Sequence, residues 1–449
     1  MGLTADIGAF LAGIGATGTP AAAIPIVCTG MTDCLGVLLA GLDQPATRIA
    51  AAGVGARLDH ALPLPLARLG VDAPAAALVA GTAAHALDFD DTGLGGHPSA
   101  VLLPAILAEA EAVQASGGAM IDAYVAGYEV WAELSGRDAD PHHGKGWHPT
   151  AVFGTLAAAA ASAVLRRLDA ARASQALAIA ASFAAGLVAN FGSMTKPFQV
   201  GRAAQSGLLA TRLAEAGLTA STDALEHELG FLRAISPHGR VDTGRPCRLG
   251  DDWQILRHGL NIKLYPICYA AHRALDGMLD LIGEHAVAAA AIATVEVEIG
   301  TTQATMLRNH RPQSATEAKF SVEFAMAAAA IAGGCRPAQL TDDFVQSPMV
   351  QTFLERVRVR PNPEQDPEDP VHAPADRVRL TLTDGRRLES LPVARPRGHF
   401  RRPLEPAELS KKFADCVADR LRPEQAGPLF ERLQRLDRMA GPADLYAFP

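Results

Sequence analysis

The chain has 449 residues, of which 49% are hydrophobic and 20% charged, and its formal net charge is −8 at pH 7. This length is enough for two domains or one large domain with a sizeable core, and the negative charge argues against a nucleic-acid partner. The six cysteines are scattered and form no C-x-x-C pair, a pattern typical of a reduced, cytoplasmic protein and not of a disulfide framework or a zinc ribbon.

The N-terminus lacks a positively charged region, so we do not interpret it as a signal peptide. Two later stretches, 146–165 and 174–195, contain no Asp, Glu, Lys or Arg. Each is long enough to be considered as a membrane span. Both are rich in alanine and carry several polar residues, so we interpret them as buried helices and expect no membrane partner.

The first 260 residues or so read as all-helical. Ala- and Leu-rich segments of helix length alternate with Gly, Pro and Asp breaks, and runs of β-branched residues are scarce. The clearest predicted helices are 98–117, 119–134, 149–167, 171–190 and 197–217.

The pattern changes after about residue 262. Alternating apolar and charged residues predict strands at 293–300 and 356–361, and Asp384-Gly385 predicts a hairpin over 377–390. A helix is predicted between them, at 316–333, and a polar, Pro-rich loop at 361–370. Beyond residue 402 the pattern is helical again.

The stretch HALDFDDT, residues 85–92, places three carboxylates and a histidine after an apolar segment. If it is helical, Asp88 and Thr92 share a face with His85, while Asp90 points away and is expected to matter least. Three interpretations stay open. One is a magnesium site for a diphosphate substrate, which needs a second acidic motif that we do not find. The others are a solvated helix end and a site in which carboxylates orient His and Lys groups.

Lysine is rare in this chain, because only six of the 40 basic residues are Lys. Lys145 lies with His148 in GKGWHPT, and Lys196 lies in SMTKPF. In both motifs a proline suits a helix start, whose N–H groups can bind a carboxylate. Since Lys can release its proton and Arg cannot, Lys196 is a candidate general base, with Arg202 as a carboxylate clamp. Ordinary helix capping is the alternative.

The stretch NIKLYPICYAAHRALD, 261–276, lies at the predicted domain boundary, where substrates commonly bind. Its candidate site residues are Lys263, Tyr265, Cys268 and Arg273. Cys268 is either an acid/base thiol or a small buried apolar residue.

Five motifs together resemble the MmgE/PrpD family, which includes 2-methylcitrate dehydratase, cis-aconitate decarboxylase and iminodisuccinate epimerase. They follow one another in order over about 240 residues. The motifs are HALDFDDT…HPS (85–99), GKGWHPTAVFGTLAAA (144–159), NFGSMTKPFQVGRAAQSG (190–207), KLYPICYAAHRALD (263–276) and AKFSVEF (318–324).

The resemblance implies a mainly α fold, with a large all-helical domain formed by both chain ends, 1–261 and 393–449. A smaller α+β lid domain, 262–392, is inserted, with the active site between domain and lid. It further implies a homodimer, no metal or organic cofactor, and a small di- or tricarboxylate substrate that reacts at a carbon next to a carboxylate. The site positions that carry over are Asp88, Thr92, His97, His148, Lys196 and Lys263.

Two positions depart from the family's decarboxylases. Cys268 stands where they carry a histidine, and Phe324 where they carry a tyrosine. A lysine and a thiol on opposite sides of a carbon acid fit epimerisation, in which one group removes the α-proton and the other returns a proton. The leading hypothesis is therefore a cofactor-independent epimerase or racemase of an iminodisuccinate-like dicarboxylate.

In this hypothesis Lys196 and Cys268 transfer protons. The cations that hold carboxylates and stabilise the enolate-like intermediate are Lys263, His148 and Arg202, and Asp88 and His97 orient their neighbours. A lyase of the same family, a dehydratase or decarboxylase, is the alternative. A magnesium-dependent helical synthase and a non-catalytic scaffold are the remaining classes.

Overall fold

A computed structural model describes residues 2–58, 64–369 and 371–447. Its contacts divide the chain into two compact units, 1–262 with 405–449, and 263–404. The described part is mainly helical, with one small mixed sheet in the second unit. This confirms the prediction of a mainly α protein with a minor β component, whereas the predicted domain ranges stay a prediction.

The first unit is built from Ala- and Gly-rich helices that approach one another closely. A Cβ atom on Gly201 would lie only 2.1 Å from the carbonyl oxygen of Leu78, so the helices that carry these two residues meet backbone to backbone. The helices are α1 Leu3–Thr17, α2 Ile24–Gly41, α3 Pro45–Gly53, α4 Ala73–Ala86, α5 Pro98–Val113, α6 Gly117–Ser135, α7 Pro149–Leu165, α8 Ala170–Phe183, α9 Thr195–Glu215, α10 Phe231–Ile235 and α11 Gln254–His258.

Two of these helices, α5 and α8, end a full turn or more before the ends that their composition predicts. Helix α5 stops at Val113 because Gln114 adopts a left-handed conformation with φ 53°. Helix α8 ends at Phe183, where Ala184 is extended. The predicted continuation to residue 190 is instead a loop, and its Gly186 carbonyl accepts the backbone N–H of His148 at 3.0 Å.

The second unit holds a four-stranded sheet with strand order β2-β1-β3-β4. Strands β1 and β2 are parallel, and the other pairs are antiparallel. The strands are β1 Ile292–Gly300, β2 Val357–Asn362, β3 Arg377–Leu382 and β4 Arg387–Glu389. The helices are α12 His272–His285, α13 Thr301–Met306, α14 Ala315–Ala318, α15 Val322–Ala332, α16 Asp342–Gln346 and α17 Pro348–Leu354.

The strand predictions match this sheet, but the helix predicted over 316–333 is two helices. Ser321 separates α14 from α15, and its hydroxyl accepts the backbone N–H of Phe324 at 3.1 Å as an N-cap. In the predicted loop 361–370, β2 extends to Asn362, and Pro370 lies outside the described residues.

The C-terminal helices return to the first unit. They are α18 Pro406–Val417, α19 Pro423–Leu433 and α20 Pro442–Leu445. Gln434 donates its side-chain amide to the Thr32 hydroxyl of α2 at 2.6 Å. By length and composition alone, helical residues 21–41 could cross a membrane, and 72% of that window is buried in the fold. A core helix passes the same test.

A buried carboxylate joins three of the core helices. Glu109 of α5 is fully buried, and its side chain lies 2.6 Å from Arg166 and 3.1 Å from Arg212. Ser162 donates to its second oxygen at 3.2 Å. Glu109 therefore bridges two guanidinium groups, at the end of α7 and in the last turn of α9.

Replacing Glu109 by Ala should lower the free energy of unfolding by about 3 kcal/mol, because both arginines would lose their buried partner. Denaturant unfolding at pH 7 measures this change. The control is Glu215→Gln, which removes an Arg166 partner whose side chain is 37% exposed and should cost less than about 1 kcal/mol. Equal losses in the two variants would contradict this role for Glu109.

Candidate active site

The HALDFDDT stretch is a turn and not a continuous helix. Helix α4 ends at Ala86, and Asp88 adopts a left-handed conformation with φ 52°. The chain therefore reverses at Asp88 and brings Asp90 back under His85. The sequence expectation that Asp90 points away from the site is wrong, because it assumed helical geometry through residue 92.

Asp90 is the buried centre of this turn. Its carboxylate accepts from Nδ1 of His85 at 2.9 Å and lies 2.9 Å from Nδ1 of His97. The backbone carbonyl of Asp91 also accepts from His97 at 2.9 Å. Burial would raise the pKa of Asp90, but the two imidazoles outweigh it and hold that pKa well below its usual range.

The neighbouring Asp91 has the opposite environment. Burial and the negative charge of Asp90 raise its pKa well above the usual range. The Ser99 hydroxyl donates to one of its oxygens at 2.8 Å and lies 2.6 Å from the Tyr124 hydroxyl. The pKa values of these adjacent aspartates are therefore shifted in opposite directions, and Asp90 is the stronger acid of the two.

Lys196 lies at the start of α9 and reaches Asp88. Its Nζ is 3.2 Å from Oδ2 of Asp88, and both side chains are less than 10% exposed. Nζ also lies 5.0 Å from the centroid of the Phe191 ring, a cation–π contact. On the other side, Nε2 of His97 is 3.9 Å from Oδ1 of Asp88. Asp88 therefore lies between a lysine and a histidine.

His148 precedes α7 and joins the same cluster. Its Nδ1 is 2.8 Å from the side-chain oxygen of Gln199. Because an amide oxygen only accepts hydrogen bonds, Nδ1 carries the hydrogen and Nε2 holds a lone pair in the neutral ring. No described residue provides a hydrogen-bond partner for this buried Nε2. Burial, followed by the charge of Lys196, lowers the pKa of His148 well below its usual range.

His85 is presented in the same way. Its Nδ1–H is held by Asp90, and its buried Nε2 likewise lacks a partner within the ranges that the structure describes. Burial lowers the pKa of His85 to about 4. The ring centroids of His85 and His148 are 6.3 Å apart, so two neutral imidazoles place lone pairs in one buried cluster beside the ammonium of Lys196.

A second loop supports the end of the turn. Thr92 and Asn261 exchange backbone hydrogen bonds at 2.9 and 2.8 Å. The segment before Asn261 is held by Glu129 of α6, whose carboxylate accepts the backbone N–H groups of Gln254 and Ile255 at 2.9 and 2.8 Å. Burial raises the pKa of Glu129 to about 7, although these N–H groups oppose the shift.

The cluster contains a donor set that could hold a metal ion. His85, Asp88, Asp90 and His97 each offer one ligand atom, and these atoms lie within 4.8 Å of one another. Nδ1 of His85 already donates to Asp90, and Nδ1 of His97 donates to the Asp91 carbonyl and lies 2.9 Å from Asp90. A divalent cation beside Asp88 would repel the ammonium of Lys196 at 3.2 Å. The geometry favours an ion-pair and hydrogen-bond cluster, and the absence of a metal or cofactor stays a prediction.

The structure brings together five residues predicted for the site and leaves two apart. The five are Asp88, Thr92, His97, His148 and Lys196. Lys145 instead donates to the carbonyls of Ala234 and Ser236 at 3.2 and 2.8 Å. Arg202 is exposed and donates to Gln205 at 2.9 Å, so it does not reach this cluster.

The remaining predicted residues lie in the second unit, and their roles stay predictions. Lys263, Cys268 and Tyr265 are buried. The Tyr265 hydroxyl donates to Asp276 at 2.6 Å, and Arg273 donates to the carbonyl of Ala373 at 2.7 Å.

Three residues of the cluster were absent from the predicted set: His85, Asp90 and Gln199. The first two stand in the motif that drew attention to the site, so reading that motif as a turn would have found them. Gln199 lies one turn after Lys196 at a position that ordinary helix composition explains equally well. Only the contact with His148 identifies it.

Two parts of the chain match one known family. Residues 5–243 match the MmgE/PrpD N-terminal domain, and residues 265–435 match the MmgE/PrpD C-terminal domain. Similar proteins include the cis-aconitate decarboxylase of Mus musculus, which is 29% identical over 352 residues that cover 75% of this chain and 70% of the relative. The cis-aconitate decarboxylase of Homo sapiens is 29% identical over 349 residues, which cover 75% of this chain and 71% of the relative. The Aspergillus terreus protein of the same name is 28% identical over 371 residues, which cover 76% and 74%.

Replacing Asp90 and Asp91 by Asn should change stability in different directions. The pKa of Asp90 is lowered by folding, so its stabilising contribution is present above about pH 4 and is lost as the pH falls further. Asp90→Asn should therefore lower the free energy of unfolding at pH 7 by about 3 kcal/mol, because two imidazoles lose a charged acceptor.

The pKa of Asp91 is raised by folding, so its contribution is present at low pH and is lost as the pH rises above about 4. An ionised Asp91 would be costly to bury beside Asp90, and Asp91→Asn removes the ionisable group. This variant should therefore leave the free energy of unfolding at pH 7 unchanged or higher. Urea unfolding of both variants at pH 7 checks the contrast. A loss in Asp91→Asn as large as that in Asp90→Asn would contradict the assignment of charge to Asp90.

Proposed function

The chain belongs to the MmgE/PrpD family, and we propose that it is a lyase that acts on a small tricarboxylate of the cis-aconitate type. The two domain matches and the decarboxylase names of its relatives support this proposal. They favour the lyase, which the sequence left as the alternative, over the leading hypothesis of an epimerase, because the relatives named above are decarboxylases.

The observation that carries the proposal is the buried contact of Lys196 with Asp88 beside the lone pair of His148. An ammonium offers a proton and a positive charge, and a neutral imidazole accepts a proton. Both groups lie in surroundings that are largely closed to water, where charge interactions are stronger than in solvent. Since His85 and His148 are neutral near pH 7, Lys196 is the cation of this cluster best placed to bind a substrate carboxylate.

For an unsaturated tricarboxylate the lyase step is a decarboxylation. The carbon–carbon bond to the departing carboxylate breaks, and its electron pair forms a new carbon–carbon double bond. The electron pair of the old double bond takes a proton from Lys196, and the products are carbon dioxide and a dicarboxylate. The neutral amine of Lys196 regains a proton from water, and Asp88 stabilises the restored ammonium.

Epimerisation is the second candidate, and one observation favours it. Cys268 is a buried cysteine in the second unit that forms no disulfide, at the position where the resemblance implies a histidine in a decarboxylase. A thiol and Lys196 as opposed proton-transfer groups would exchange an α-hydrogen without loss of carbon dioxide.

The homodimer, the cytoplasmic location, and the absence of cofactor, nucleic-acid and membrane partners also remain proposals.

Incubation in D₂O with cis-aconitate, and separately with other di- and tricarboxylates, followed by ¹H and ¹³C NMR, separates these reactions. We expect loss of one carboxylate as carbon dioxide and incorporation of one deuterium into the dicarboxylate product. Addition of water to the double bond would instead show a hydratase, and exchange of an α-hydrogen of a dicarboxylate without net conversion would show the epimerase. No reaction with any di- or tricarboxylate would overturn the proposed function.

Lys196→Arg should lower kcat at least about 100-fold, because arginine keeps the positive charge but does not release a proton at neutral pH. Steady-state kinetics on the substrate found by NMR measures this loss. The matched control is Lys411→Arg, because Lys411 is exposed and pairs with Asp415 on the surface, so its kcat should be unchanged. Undiminished turnover in Lys196→Arg would exclude Lys196 as the proton donor.

A further inference from the structure

One of the six lysines, Lys412, is buried beside the Asp88 turn and has no role in the step above. Lys412 of α18 is 6% exposed, and its Nζ lies 2.6 Å from Oδ1 of Asp33 in α2. The same ammonium donates to the backbone carbonyl of Phe89 at 2.9 Å and lies 3.9 Å from the centroid of the Phe89 ring.

These contacts hold the residue that follows Asp88. Asp88 is in the left-handed region, which costs a non-glycine residue free energy and persists only where neighbouring contacts determine it. Lys412 fixes the carbonyl of Phe89, and the Phe89 ring packs against Val37 and Cys416 in a buried cluster. Residues of α2 and α18 therefore contact both the backbone carbonyl and the ring of Phe89, the residue after Asp88.

The small space between Asp33 and Phe89 explains why position 412 holds a lysine and not an arginine. A primary ammonium is a compact charge that can contact a carboxylate, a carbonyl and a ring face from one point, whereas a guanidinium is broad and planar. Only six of the 40 basic residues of this chain are lysines. We therefore attribute the lysine at position 412 to the three contacts that its ammonium makes there.

We propose that Lys412, paired with Asp33, is a positioning residue that fixes Asp88 against Lys196. It acts through the Phe89 carbonyl and does not touch the substrate. The kinetic part of this inference rests on the proposed lyase function. The structural part, that α18 holds the turn in place, does not.

The test must separate positioning from mere stability, and the ion pair provides the means. Lys412→Met alone leaves the Asp33 carboxylate buried without its ammonium and should destabilise the fold. Adding Asp33→Leu removes that charge, and replacing both members of a buried pair by apolar residues commonly restores stability. Neither variant gives the Phe89 carbonyl its donor back.

We expect both Lys412→Met and the double variant to lower kcat about 100-fold, since a displacement of about 1 Å can cost that much. KM should change less than about threefold, because Thr92 keeps its separate hydrogen bonds to Asn261. Hydrogen exchange should be faster in peptides that span residues 87–97 in both variants. Lys411→Met removes the adjacent exposed lysine and should change neither the kinetics nor the exchange.

Recovery of kcat together with stability in the double variant would overturn the positioning role, and so would unchanged hydrogen exchange at 87–97. If the wild-type protein turns over no di- or tricarboxylate, the proposed function falls. The exchange comparison among the wild-type protein, the double variant and Lys411→Met then decides by itself whether Lys412 holds the turn.

Discussion

The site depends on one buried carboxylate that two imidazoles share. Burying a carboxylate costs free energy unless it is hydrogen-bonded or paired. Asp90 lies without solvent because His85 donates to it and Nδ1 of His97 lies 2.9 Å from it. The reversal at Asp88 makes this arrangement possible, since a continued helix would carry residue 90 to another face. Charge, tautomer and backbone conformation at this turn therefore determine one another.

Helix packing supplies the other half of the cluster. The backbone-to-backbone contact at Gly201 and Leu78 brings α9 against α4, so that the start of α9 lies beside the turn at the end of α4. Lys196 then reaches Asp88, and Gln199 of the same helix orients His148. A side chain on Gly201 would separate the two helices and, with them, the proton donor from its carboxylate.

The electrostatics follow from burial. His85 and His148 are neutral because an imidazolium would be poorly solvated there and would face the charge of Lys196. The ammonium of Lys196 can donate one proton, and the neutral imidazoles of His85 and His148 can accept one, which suits a reaction that transfers a single proton in each step. Beside the turn, the single ammonium of Lys412 both pairs with the Asp33 carboxylate and donates to the backbone carbonyl of Phe89.

The sequence by itself determined the family, the helical class and the strands of the second unit, because these depend on periodicity and on motifs that are contiguous in the chain. The strand order and the parallel pairing of β1 with β2 came only from the tertiary structure. It also identified Asp88, His97, His148 and Lys196, since each stands at a helix end or in a polar break. The tertiary structure alone decided that Asp90 is central, that Gln199 orients His148, and that Arg202 and Lys145 bond elsewhere. A left-handed residue redirects every side chain after it, and a helix surface has several faces. Only packing shows which way the chain turns and which face meets the site.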